Sequence, residues 1–242
     1  MRAALEVVAD AAACARAAAG RCAAAAARAQ VARGAFHLAL AGGRTPRAVH
    51  AALARRRDLD WSRIHIYWGD ERAVPPTDDA SNYAMARESL LDHLTMPPAA
   101  IHRMPAELPD LERAAHDYEH LLRTQLGPAP RLDFVFLGLG RDAHTASLFP
   151  YDNVLNETQH FVRATTTAPI APRLTLTFPA LAGAREVLFV VTGADKSSAV
   201  AAVHGAQRDR ARFPAQGVTG PHVAWLLDRD AAGLLAPDLP PA

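Results

Sequence analysis

Residues 132–150 read LDFVFLGLGRDAHTASLFP. Leu132 to Leu137 is an unbroken apolar run containing Phe and Val, the pattern of a strand buried on both faces. It stops at Gly138 and Gly140, which permit a tight turn and a close backbone approach. Asp142 and His144 follow, and a short small-residue segment ends at Pro150. In an open α/β sheet ligands sit at the carboxyl ends of the strands. A carboxylate and an imidazole two residues apart at such a place point to acid/base chemistry.

Rival readings attach to the same stretch. Gly138 to Ala143 fits the dinucleotide fingerprint G-x-G-x-x-A, but that fingerprint needs a crossover helix next, and the chain meets Pro150 almost at once. No strand ending in an acid lies about 20 residues on. A purely structural turn, with His144 as a packed or capping residue, is the plainer alternative. Further back, His116-Asp117-Tyr118-Glu119-His120 matches the inverted zinc-protease pattern H-x-x-E-H. Helical spacing turns both histidines away from the apolar stripe of Ala114, Ala115, Tyr118, Leu121 and Leu122, so the segment reads as a solvated helix face.

The bulk properties bound the answer. The 242 residues are half hydrophobic with a formal net charge of +1, which gives no reason to expect a nucleic-acid surface or an acidic tail. Lys196 is the only lysine; every other basic side chain is an arginine. Cys14 and Cys22 fall on one helical stretch about 12 Å apart along its axis, too far to bridge, which suits a reducing compartment. Glu6 and Asp10 interrupt the start where a signal peptide needs an apolar core, and no run reaches about 18 apolar residues. The expectation is a soluble, cytoplasmic, monomeric protein forming one domain over 1–242.

Read in order, the Ala-rich residues 3–33 are one or two helices ended by Gly34. FHLALA (36–41) is a short buried strand, followed by Gly42-Gly43-Arg44-Thr45-Pro46 and a helix towards Arg57. Thr45 reads as the N-cap and Pro46 as the first helical residue. Two glycines beside a positive helix end favour a phosphate. IHIYW (64–68) is a strand running into Gly69-Asp70-Glu71-Arg72, charged residues expected to face water or a ligand. Ser81 caps the helix that follows. Residues 151–171 are polar and irregular; RLTLTF (173–178) alternates as a strand; EVLFVVT (186–192) is a buried strand leading to Gly193-Ala194-Asp195-Lys196 and a helix; HVAWLL (222–227) is the last strand, with Asp228 at its end. Four strand ends therefore carry polar groups, and a mostly parallel sheet with helices on both faces lets them converge on one edge.

Four of these segments resemble the 6-phosphogluconolactonases, relatives of the glucosamine-6-phosphate deaminases. LALAGGRTP resembles a phosphate loop usually written S-G-G-S-T-P, and WGDERAVPPTDDASNY resembles a D-E-R-x-V-P … S-N block. GLGRDAHTASLFP resembles G-x-G-x-D-G-H-T-A-S-L-F-P, and PRLTLTFPAL an R-I-T-x-T segment. The resemblance spans roughly residues 5–235 and implies a three-layer αβα, modified Rossmann-like fold. It further implies hydrolysis of 6-phosphoglucono-1,5-lactone without metal, nucleotide or other cofactor, with the phosphorylated lactone as the only partner. His144 would be the general base and Asp142 its orienting carboxylate. Gly42, Gly43, Arg44 and Thr45 would cradle the phosphate, with Arg72, Arg173 and Lys196 as cationic contacts and Asp70 as a sugar-hydroxyl or structural ligand.

Three departures stand out. Ala41 and Arg44 replace serines of the phosphate loop, and Ala143 replaces a glycine before the histidine, at a cost of about 1 kcal/mol if that position needs positive φ. The deaminases resembled here carry D-E-Y where this chain has Asp70-Glu71-Arg72, and a glutamate where it has Phe149, so deamination is the weaker enzyme reading. A sugar-phosphate sensor is the other class weighed; it normally carries a helix-turn-helix, and the N-terminal helix lacks the paired element.

Overall fold

The computed structural model describes residues 4–94, 101–167 and 171–235. A six-stranded sheet forms its centre: β1 (Ala4–Val8), β2 (Phe36–Leu40), β3 (Ile64–Trp68), β5 (Phe134–Leu137), β8 (Val187–Val191) and β9 (Val223–Asp228), in the order β1-β9-β8-β5-β2-β3. Every neighbouring pair is parallel. This is why β5 and β8 are apolar at every position: a parallel strand in mid-sheet is covered on both sides and has no face for water. Phe36, Leu38, Ile64, Ile66, Phe134 and Phe189 fill that interior with almost no exposed surface.

A second sheet of three antiparallel strands, β4 (Asp70–Arg72), β6 (Val162–Thr165) and β7 (Arg173–Leu176), runs in the order β4-β7-β6. RLTLTF therefore supplies a strand as expected, but in this small sheet, where its period-two alternation belongs. Residues 151–171 are less irregular than expected: Asn153–Asn156 form a turn of 3₁₀ helix and Val162–Thr165 pair with β7, while 168–170 lie outside the described residues.

The N-terminal expectation needs correction. Residues 4–8 are not helical; they pair in register with β9, Ala4 opposite Ala224 through Val8 opposite Asp228. The helix α1 (Ala11–Arg33) begins only after Asp10, whose carboxylate accepts from the Ala13 N–H at 2.7 Å, and ends at Gly34 with φ 81°. Its buried residues, among them Cys14, Ala18, Cys22, Ala26 and Ala29, are small, and they let the helix lie close against α2 (Arg44–Ala54) and the sheet. Both cysteines are free, and burial raises both thiols, Cys14 to about 12.

The remaining helices are α3 (Asn82–Ser89), α4 (Leu111–Leu126), α5 (Phe178–Gly183) and α6 (Ser197–His204). Ser81 caps α3 as read, its hydroxyl accepting from the Ala84 N–H at 3.1 Å. His116 and His120 on α4 are exposed, and among the described residues no group of three His, Cys, Asp or Glu side chains is placed to hold a metal ion. No described helix is long and apolar enough to cross a membrane.

Candidate active site

The strand ends do converge. A cleft of about 700 Å³ opens at the carboxyl edge of the parallel sheet, lined by the turns after β2, β3, β5, β8 and β9. Gly42, Gly43, Arg44, Thr45, Asp70, Arg72, His144, Arg173 and Lys196 all line it. Asp142 stands behind His144 rather than on the wall.

The loop after β5 is tied at several points. The Gly140 N–H donates to the His144 carbonyl at 2.8 Å, and the Ala143 N–H to the Gly140 carbonyl at 3.1 Å. The Thr145 hydroxyl donates to the Gly138 carbonyl at 2.9 Å. Within this frame His144 Nδ1 lies 2.5 Å from Asp142 Oδ1, and the His144 N–H points at the same oxygen at 3.2 Å. With the carboxylate on Nδ1, that nitrogen carries the proton and Nε2 is left as the basic atom. Burial works to raise the Asp142 carboxyl, but the hydrogen bonds and charge attraction from His144 outweigh it, and the net shift is downward. Gly140 makes this packing possible: a Cβ there would sit 2.0 Å from His144 Nδ1 and 2.5 Å from Asp142 Oδ1.

Ala143, in place of the glycine, holds φ at +64° and is buried. Its position needs the left-handed region, and its methyl group is accommodated at a cost of about 1 kcal/mol. The loop does not shift to escape this, because the Ala143 carbonyl also accepts from the Ala215 N–H at 3.0 Å. The Phe149 ring packs on the imidazole of His144 with centroids 4.4 Å apart, and the Arg173 guanidinium carbon lies 5.9 Å from the centroid of the same Phe149 ring.

The phosphate-loop segment folds differently in detail from its sequence reading. Helix α2 starts at Arg44 with Gly43 as its cap residue and no side-chain cap, so Thr45 is already inside the first turn and Pro46 is its third residue. Thr45 Oγ1 instead pairs with Thr192 Oγ1 at 2.7 Å, joining the turns after β2 and β8. The N–H groups at this helix start remain a positive end facing the cleft. Gly42 is pressed against Asn82, where a Cβ would come within 1.8 Å of the side-chain oxygen. Arg44 is 89% exposed, with its nearest partner Asp195 at 3.6 Å.

Asp70 and Glu71 do not face water; both are buried. Glu71 accepts the Asn82 N–H at 2.8 Å on one oxygen, and the Tyr83 N–H at 2.8 Å and Ser81 hydroxyl at 3.0 Å on the other, so it satisfies the free donors at the start of α3. Burial raises its carboxyl against the pull of those bonds. Asp70 accepts from the Ser147 hydroxyl at 2.6 Å and from Asn82 Nδ2 at 3.3 Å, with Arg173 at 3.8 Å.

Arg72 and Arg173 face each other directly across the β4–β7 pair. Like charges opposite one another destabilise a sheet. Arg72 donates to the Ala80 carbonyl, but its buried Nε has no partner among the described residues. Burial lowers the Arg173 guanidinium from its usual value, Asp70 opposing and Arg72 adding to the shift. Lys196 is shifted down as well, first by burial, with Asp195 opposing and Arg141 and Arg44 reinforcing. Arg44, Arg72, Arg173 and Lys196 thus line the cleft together with the carboxylates Asp10, Asp70, Asp195, Asp228 and Asp230.

Several lining residues escaped the sequence reading. Asn82 entered only within the quoted WGDERAVPPTDDASNY block, with no role of its own, and its buried Oδ1 has no partner among the described residues. Asp228 closes β9 and accepts the Gly193 N–H at 3.0 Å and the Ala231 N–H at 2.8 Å, anchoring the turn that carries Lys196. Its place at a strand end was the available signal. Ser147 is buried behind the lining, where its hydroxyl donates to Asp70, and it entered the sequence reading only within GLGRDAHTASLFP.

Comparison with known proteins matches residues 9–226 to the family described as glucosamine-6-phosphate isomerases/6-phosphogluconolactonase. A 6-phosphogluconolactonase of Synechocystis sp. is 40% identical over 85% of this chain and 87% of its own length. One from Streptomyces coelicolor is 40% identical over 88% of each chain. Among solved structures, the 6-phosphogluconolactonase of Trypanosoma brucei superposes with a TM-score of 0.86 at 28% identity, covering 97% of this chain and 99% of that one.

Proposed function

The chain belongs to the glucosamine-6-phosphate isomerase/6-phosphogluconolactonase family, and we propose from there how it hydrolyses 6-phospho-D-glucono-1,5-lactone to 6-phospho-D-gluconate, the lactone-opening step of the oxidative pentose phosphate pathway. The observation that carries the proposal is the Asp142–His144 pair, 2.5 Å apart, with the imidazole opening into a cleft rimmed by arginines and a lysine.

His144 Nε2 takes a proton from a water molecule as that water attacks the lactone carbonyl carbon. The resulting imidazolium is stabilised by the Asp142 carboxylate. As the tetrahedral intermediate collapses, the bond from C1 to the ring oxygen breaks and His144 returns the proton to that oxygen, which becomes the C5 hydroxyl. Water is consumed, the new carboxylic acid gives up its proton to solvent to leave the carboxylate, and His144 ends as it began. Positioned acid/base groups of this kind contribute about 10²- to 10⁴-fold in rate.

The phosphate is held by Gly42, Gly43, Arg44 and Thr45 at the start of α2, with Lys196, Arg72 and Arg173 as cationic contacts. The repulsion between Arg72 and Arg173 supports this assignment, since a bound anion relieves it. Asp70 is satisfied by Ser147, Asn82 and Arg173, which favours a structural role over contact with a sugar hydroxyl. One continuous buried core supports reading the enzyme as a single domain, and its partner in this proposal is the small phosphorylated lactone. Phe149 packed on His144 disfavours the deaminase reading, because the position that resembles a deaminase carboxylate is an apolar ring.

The test generates the lactone in situ at mildly acidic pH, where its spontaneous opening is slow, and follows its loss with wild type and His144→Ala. Acceleration that is lost in the folded variant supports the function and the base together. A wild type that binds 6-phosphogluconate without accelerating hydrolysis would instead indicate a sugar-phosphate sensor.

A further inference from the structure

Beyond the cations already assigned, one carboxylate oxygen at the mouth of the cleft holds one further charge, Arg141, beside Arg44. Asp195 Oδ2 accepts from Arg141 Nε at 2.9 Å and lies 3.6 Å from an Arg44 terminal nitrogen. These three residues come from three separate turns, after β5, β2 and β8, and Lys196 is Asp195's neighbour in sequence. Asp195 is folded inward, its other oxygen against Gly193, where a Cβ would approach to 2.9 Å. One negative charge therefore faces three positive ones.

Arg141 stands just outside the lining residues. It uses only Nε on Asp195, and its terminal nitrogens have no hydrogen-bond partner among the described residues. A guanidinium has five donors in a fixed fork suited to phosphate oxygens. Once its orientation is set through Nε, the rest of the fork is free for a ligand. Both arginines are largely exposed, at 73% and 89%, so holding them against Asp195 adds little to stability. A group that contributes little to the fold and is nonetheless oriented beside an anion site is explained by binding.

We propose that Arg141 is a further phosphate-binding residue, held in place by Asp195, and that it sets the preference of this site for a phosphorylated over an uncharged lactone. The inference rests on the lactonase reading for the position of the substrate phosphate. Asp195 is a positioning residue in this scheme. It compensates the arginines while the site is empty and keeps Arg141 oriented when the dianion arrives.

The test compares wild type, Arg141→Gln and Arg141→Lys on 6-phosphogluconolactone and on glucono-1,5-lactone, and titrates each with inorganic phosphate by calorimetry. Loss of one partly exposed cation should raise KM for the phosphorylated lactone about threefold to tenfold at low salt, with kcat within about twofold, and the effect should shrink as salt is added. Phosphate affinity should fall by the same factor, Arg141→Lys should restore part of it, and turnover of the uncharged lactone should not change. Equal losses on both lactones would mean general damage and overturn the proposal, as would an unchanged KM and phosphate affinity in Arg141→Gln. If wild type fails to hydrolyse either lactone, the lactonase reading falls, and the phosphate titration alone still decides whether Arg141 binds the anion.

Discussion

Two groups of histidines sit at opposite ends of the same parallel strands. At the carboxyl edge His144 stands alone on a carboxylate and faces the cleft. Near the start of the strands His37 and His65 are register partners on β2 and β3, with ring centroids 4.8 Å apart. His102 follows, its Nε2 3.2 Å from His65 Nδ1, and Tyr67 stacks on it at 4.7 Å. Here the carboxylate nearby, Asp133, is already engaged by Arg33, Arg185 and the His37 backbone N–H. Among the described residues no other carboxylate is paired with these rings to hold an imidazolium. Burial, then the neighbouring His65, lowers His37 to about 4, with Asp133 opposing, and burial lowers His65 and His102 as well. In the proposed mechanism histidine is thus packing at one end and chemistry at the other, and the difference lies in what each ring is bonded to.

Short of removing the His144 ring itself, the largest effect is expected where its arrangement is broken with the ring left in place. Asp142→Asn keeps the shape but takes away the charge that fixes the tautomer and stabilises the imidazolium, so kcat should fall by at least about tenfold while substrate binding is retained. Steady-state kinetics on the phosphorylated lactone checks this, and an unchanged kcat would leave His144 without its proposed helper.

The other end should respond to pH in stability rather than in rate. A base whose folded pKa is depressed binds protons more readily in the unfolded chain, so stability rises with pH across the window between the two values. For His37 that window runs from about 6.5 down to about 4. Its contribution is intact above the upper value and is lost progressively as pH falls to the lower one. Allowing for screening of a partly exposed group, about 1–2 kcal/mol should disappear across that interval. Urea unfolding at several pH values should show a shallower acid slope in His37→Gln than in wild type; identical slopes would mean the cluster is not what titrates.

A smaller effect belongs to the loop itself. Ala143→Gly relieves the positive φ but removes a buried methyl group and loosens the unfolded chain. The two nearly cancel, and thermal unfolding should move by less than about 1 kcal/mol in either direction. A much larger loss would show that the methyl contact, not the backbone, governs this turn.

What the sequence disclosed follows the same physics. Five of the six parallel strands were legible because a strand covered on both faces is mostly apolar, with His37 and His65 the polar positions in β2 and β3. The β1 strand was hidden: ALEVV is short, half exposed at the sheet edge, and runs on into an alanine-rich helix, so only its pairing with β9 identifies it. Glu71 defeated the rule that charges at a strand end face water, because the donors at the start of α3 are remote in sequence and supply the hydrogen bonds that allow its burial. Thr45 has the propensity of a cap but meets Thr192, a contact 147 residues away. The His144 loop was readable because its glycines, carboxylate and imidazole are consecutive. Asp228 was signalled by its place at a strand end, whereas Asn82 enters the cleft through tertiary placement, which local pattern does not carry.

The contrast between the two ends comes down to one comparison: kcat/KM for 6-phosphogluconolactone in wild type, His144→Ala and His65→Ala, each shown to be folded at neutral pH. The account predicts a fall of about 10²-fold or more for His144→Ala and a change within about twofold for His65→Ala. Comparable losses in both, or near-wild-type turnover in His144→Ala, would contradict it.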